Sequence, residues 1–161
     1  MNLLSLTQTI ENRITIHDLA RAGDVDTFQT ISLDRFDINE KDSHGLSPLT
    51  LSSCFGHREF SRYLLALGAD PNSIDNSGNS VLMKAAARGH YEIIKYLIEA
   101  GADVSYTNPK GESALEFAQI SGRVEAIDAI LLHKVKPKTP GPFHTMKIWT
   151  AALQRIFASN S

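Results

Sequence analysis

A fixed period of 33 residues constrains this chain more than anything else in it. Asp42, Asp75 and Asn108 fall 33 apart, as do Gly45, Gly78 and Gly111. Ser47, Ser80 and Ser113 repeat in the same frame, and so do Leu49, Leu82 and Leu115, and Gly56, Gly89 and Gly122. His57 and His90 follow two of those glycines, and Gly68-Ala69-Asp70 and Gly101-Ala102-Asp103 close two periods. Residues 75–107 show the unit most clearly. Asp75, Asn76, Ser77 and Gly78 form a turn, with Gly78 free to take positive φ. Ser80 caps a short helix over Val81 to Arg88, which Gly89 ends in the left-handed conformation. A second helix from about Tyr91 to Ala100 carries the apolar stripe Ile93, Ile94, Leu97 and Ile98, and Gly101 stops it. One such unit cannot bury both its apolar faces, so it must stack on copies of itself.

The unit resembles the ankyrin repeat, on the motifs Gly45-x-Ser47-Pro48-Leu49, Gly56-His57 and Gly68-Ala69-Asp70 and their counterparts in 75–107. Ile16-His17-Asp18-Leu19-Ala20-Arg21-Ala22-Gly23 extends the frame one period earlier, so the resemblance covers roughly residues 9–133. It implies an all-α helical repeat solenoid with short β-turn or hairpin loops, and a C-terminal capping helix completes the expected architecture. Six stretches of one domain follow. Residues 1–41 are a degenerate N-terminal cap repeat, because the Asp-x-x-Gly turn is missing and Arg35-Phe36-Asp37-Ile38-Asn39 replaces Gly-Ala-Asp-Val-Asn; terminal units are atypical where their outer face meets water. Residues 42–74, 75–107 and 108–133 are repeats, the last degenerate at its end. Pro48 suits a first helical position, and Ser113-Ala114-Leu115-Glu116 has capping-box spacing. Residues 134–143 are a linker in which Pro137, Pro140 and Pro142 oppose helix formation. Residues 144–161 carry a capping helix with Met146, Trp149, Leu153, Ile156 and Phe157 on one face; Ile148 and Ala151-Ala152 fall in frame with Leu115 and Ala85-Ala86.

Composition excludes several classes. No run of 18 apolar residues exists to span a membrane, and MNLLSLTQTIENR lacks the basic and apolar regions of a secretory signal. The expected location is cytoplasmic, with export by a signal-independent route left open. A single cysteine, Cys54, rules out an internal disulfide or a cysteine-rich zinc site. Charge is uneven. Residues 134–161 hold five basic residues and no acid, whereas the rest holds 11 basic and 18 acidic residues, a balance of −7. The basic residues lack the density and aromatic interleaving of a nucleic-acid surface.

No catalytic constellation emerges, and the chain is expected not to be an enzyme. His57 and His90 share one repeat position, where an imidazole can bond backbone; about one helix-packing distance, roughly 10 Å, separates such positions, too far for one metal ion. His17 falls on the histidine of the family's Thr-Pro-Leu-His motif, again a structural site. Cys54 has no base nearby except His57, across the helix break. No metal or cofactor is expected. Asn72 occupies the position at which ankyrin-like hairpins carry their asparagine, a conceivable hydroxylation site.

The expected function is therefore non-catalytic protein binding on the concave face of the stack, as an inhibitor, immunity-type or adaptor protein, and as a monomer without nucleic acid or integral membrane contact. The resemblance places turn residues and the outer side of each first helix on that face. The candidates are Ser43, His44, Leu46, Leu51, Cys54, Phe55, Asn76, Asn79, Lys84, Arg88, Lys110, Glu112, Phe117 and Ile120. Leu46, Leu51, Cys54, Phe55, Phe117 and Ile120 read as an apolar interface centre, and Arg21, Lys84, Arg88 and Lys110 as its basic rim. With one small domain, blocking a partner's site is more economical than bridging two partners. The alternative is a scaffold or membrane-peripheral protein that uses the basic segment 134–158.

Overall fold

The computed structural model describes residues 14–31 and 36–135. Eight helices lie among them: α1 (Ile16–Ala22), α2 (Val25–Thr30), α3 (Pro48–Phe55), α4 (Arg58–Ala66), α5 (Val81–Arg88), α6 (Tyr91–Glu99), α7 (Ala114–Ile120) and α8 (Val124–Val135). Each unit is one helix pair. First helices stack on one another in the order α1, α3, α5, α7, and second helices in the order α2, α4, α6, α8. The result is a two-layer stack, with the turns projecting along one edge.

Local chemistry sets each boundary. The hydroxyls of Ser47, Ser80 and Ser113 accept from the N–H of Thr50, Met83 and Glu116, capping α3, α5 and α7. Pro48 opens α3 as expected. Thr15 and Asp18 form a reciprocal capping box at α1. α3 ends on Gly56 at φ 82. There a Cβ would lie 2.6 Å from the His90 ring, so glycine serves both the left-handed turn and the close approach of the next unit.

The core runs unbroken along the stack. Leu49, Leu64, Ile94, Leu97 and Ile130 are fully buried. At the first unit, Phe28 contacts the rings of Phe36, Phe60 and Tyr63 at 5.8, 5.3 and 5.9 Å. The hairpins add a polar ladder. Asn39 Oδ1 accepts from the N–H of Asp70, and Asn72 Oδ1 from that of Asp103, each at 2.8 Å. Ser105 stands next in this series, and its hydroxyl donates to Asp103 in its own loop instead.

One boundary differs from expectation. α8 runs to Val135, into the segment read as linker, and has 12 residues where α4 and α6 have nine. The sequence beyond Leu132 contains no Gly-Ala-Asp to end it, and Pro137 is the next helix-incompatible residue. The start of the expected N-terminal cap repeat, most of the 134–143 linker and the 144–161 capping helix lie outside the described residues.

Candidate partner-binding groove

The repeating histidines are structural. Nε2 of His57 donates to the Arg21 carbonyl at 2.7 Å, and Nε2 of His90 to the Cys54 carbonyl at 3.2 Å. Each therefore ties its unit to the one before. His17 bonds the Glu40 carbonyl at 3.0 Å. Arg123 takes the third place in the series, laying its methylenes against Gly89. Cys54 is a half-buried free thiol. Among the described residues, no three His, Cys, Asp or Glu side chains converge as a metal site would require. Asn72 is held on both sides, since its Nδ2 also donates to the Gly101 carbonyl at 3.2 Å.

The turn acids differ from unit to unit, and the difference creates the site. Asp42 Oδ1 accepts from the N–H groups of His44 and Leu46, both at 2.9 Å, while Arg21 meets its other oxygen at 3.1 Å. Burial pushes the Asp42 carboxyl up, but these backbone donors outweigh it and hold the group below its ordinary value. Asp75 repeats the pattern: its Oδ1 accepts from Ser77 and Asn79, and Lys84 closes on Oδ2 at 2.7 Å. Burial again opposes ionisation there, and the Lys84 ammonium with the N–H of Asn79 overcomes it.

In the next unit both partners change. Asn108 stands for Asp75 and Phe117 for Lys84. Asn108 still accepts from the N–H of Lys110 and Glu112, at 3.0 and 2.9 Å. Its amide now also donates, to Asn79 Oδ1 and to Glu112 Oε2, each at 2.9 Å. No salt bridge forms at this turn among the described residues, and Phe117 stands at the lysine's position.

A groove of about 470 Å³ results. Phe117, Ile120 and Ala87 supply its apolar side, and Ser77, Asn79, Asn108, Lys110, Glu112 and Ser121 its polar side. Ile120 is 77% exposed, far more than an isoleucine in a packed helix, and Lys110 has no ion-pair partner among the described residues. Arg88, next to Ala87, is likewise exposed and unpaired.

Five of the candidate residues meet in this groove: Asn79, Lys110, Glu112, Phe117 and Ile120. Phe55 lies elsewhere on the first-helix layer, 56% exposed, with its ring stacked on His57. Ser43 and His44 are exposed at the preceding turn, where their carbonyls accept from the side chain and the backbone N–H of Asn76. Asn76 is thus a clamp between turns, and Lys84 is engaged with Asp75. Cys54 and Leu46 are half-buried, Leu46 packing on the core. Leu51 corrects the expectation: it is 4% exposed and belongs to the core, because an aliphatic side chain at this position folds inward where a lysine reaches out. Sequence reasoning missed Asn108. The signal was present, an amide in a series of carboxylates, and only an amide can donate as well as accept.

These features define a helical repeat solenoid with an open groove on its first-helix layer. The family model for ankyrin repeats, described as three copies, matches residues 16–108 and again 67–140, and the chain belongs to the ankyrin-repeat family. No curated protein matches it. Ankyrin repeats generally mediate protein–protein interaction and are typically non-catalytic modules. Among the described residues, no helix is long and apolar enough to cross a membrane.

Proposed function

We infer that this protein binds a partner protein on its first-helix layer, through the groove between the turns at Asn79 and Asn108 and helix α7. The observation that carries this reading is the exposure of Ile120 beside Phe117 in a recess with polar walls. Such an arrangement suits an apolar side chain inserted from outside, with hydrogen-bonding groups fixing its backbone. Lys110 and Arg88 favour acidic residues flanking that anchor, since neither cation is neutralised within the described chain. Phe55 and His44 extend the surface across the preceding unit. The role that suits a single contiguous face is occlusion: the protein inhibits its partner by covering a site, in an inhibitor or immunity-type relationship.

A photo-cross-linking residue placed at position 120, with a second variant labelled at Glu92 on the second-helix layer, tests this. Capture of a partner through 120 and not through 92 is expected. Binding of the purified partner should then fall at least tenfold in Ile120→Asp and in Phe55→Ala/Arg88→Glu, with Tm unchanged. Equal affinity of all variants removes the groove from the function.

A further inference from the structure

The C-terminal end of the described stack is an unfinished interface. In each internal unit, the turn glycine receives a side chain from the unit that follows. A Cβ on Gly45 would lie 2.4 Å from Asn76, and a Cβ on Gly78 would lie 2.3 Å from Pro109. Gly111 keeps the same backbone, at φ 80, yet nothing among the described residues lies within 4 Å of that point. The first helices show the same contrast. Leu49 and Leu82 are fully buried where Leu115 is only half-buried, and Ser53 and Ala86 are fully buried where Gln119 is exposed.

We propose that residues 142–158 of this chain dock on that end as an in-register half-unit, with Pro142 on Gly111 and one helix against α7. Three observations select this occupant. First, Pro142 follows Pro109 by 33 residues, so the residue due over Gly111 is again the proline that covers Gly78. Ile148 and Ala151-Ala152 then fall in line with Leu115, Ala118 and Gln119. Second, six residues separate Val135 from Pro142. They can span about 20 Å, twice the roughly 10 Å between stacked helices. Third, residues 134–161 carry five positive charges and no acid, whereas the rest of the chain carries −7, so the segment is drawn to its own stack. A half-unit supplies one helix, which covers α7 and leaves the outer side of α8 open.

The test uses the full chain. Hydrogen exchange of the α7 amides is compared between wild type and Ile148→Asp/Ala152→Asp; protection should fall at least tenfold in α7 and hold in α5. Unchanged α7 protection overturns the proposal. A second measurement does not depend on stability. With Cys54→Ser, Gln119→Cys and Ala152→Cys, a bismaleimide spanning about 10 Å should close an intramolecular link in dilute monomer. Links only between molecules would assign the face to a second copy, and no link at all would leave it without this occupant; either result overturns the proposal.

Discussion

Residues 75–107 and 108–135 fold into the same helix pair, yet they sit in different surroundings. The earlier unit has neighbours on both sides. Its turn acid is neutralised by Lys84, its ring nitrogen at His90 bonds the unit before, and its second-helix stripe is closed, with Ile98 6% exposed. The later unit keeps the helices and loses these fastenings. Leu131, at the register of Ile98, is 42% exposed, Arg123 replaces the histidine, and Asn108 and Phe117 replace the ion pair. What the later unit gains is a recess with an apolar floor. In a repeat stack, stability comes from each unit and its nearest-neighbour interfaces. The unit with fewer internal ties is therefore the one whose side chains stay open to solvent, which is the property the proposed partner site rests on.

Mutations at matched positions can break this comparison. Ile98→Ala should cost about 3 kcal/mol, the usual loss for truncating a buried aliphatic side chain, whereas Leu131→Ala should cost less than about 1 kcal/mol because it is partly solvated. Urea midpoints of the two variants measure the difference, and equal losses would deny that the end of the stack is open at α8. Gly56→Ala should cost about 2–3 kcal/mol, combining the strain of a left-handed alanine with the His90 ring in its way. Gly122→Ala shares the strain, at φ 64, and meets no described neighbour within 4 Å; unless the proposed half-unit covers it, it should cost less, about 1 kcal/mol.

Asp75→Asn makes the earlier unit resemble the later one. The amide still accepts from the turn, so the loss is the Lys84 pair, about 1–2 kcal/mol at neutral pH. The pH dependence carries a defined sign. Asp42 and Asp75 are held below their ordinary values when folded. Their stabilisation is therefore complete above about pH 4 and is lost as pH falls through the depressed folded values. Wild-type Tm should hold down to about pH 4 and drop as the pH is lowered further, and Asp75→Asn should drop less. The smallest effect has the opposite direction. Ser53 is fully buried, and its hydroxyl has no hydrogen-bond partner among the described residues, where the next unit has Ala86. Ser53→Ala should stabilise by about 1 kcal/mol, read as a rise in Tm.

The repeat frame was open to view in the sequence because backbone demands recur with it. Left-handed caps need Gly56 and Gly89, turn donors need Asp42 and Asp75, and helix starts need Ser47, Ser80 and Ser113. The groove was only half legible. Phe117 and Ile120 could be placed on the correct layer by register, but register does not fix exposure. Leu51, Lys84 and Phe117 occupy one position and meet three fates: burial, an ion pair and a groove wall. Each outcome depends on the residue nine positions earlier and on the neighbouring unit. Asn76 and Lys84 looked available for contact because their partners, the Ser43 carbonyl and Asp75, are met only through three-dimensional packing.

The side-chain hydrogen bonds described between units join residues 21 to 36 positions apart. The chain therefore closes only short loops as it orders, at modest entropic cost, and a pattern of contacts so local favours rapid folding. A nascent chain could secure each unit as soon as the next has been synthesised. By the same token, strain introduced at the groove by a bound partner would pass to α5 and α6 first and would fade toward Phe28, so opposite ends of the molecule can respond to different events almost independently.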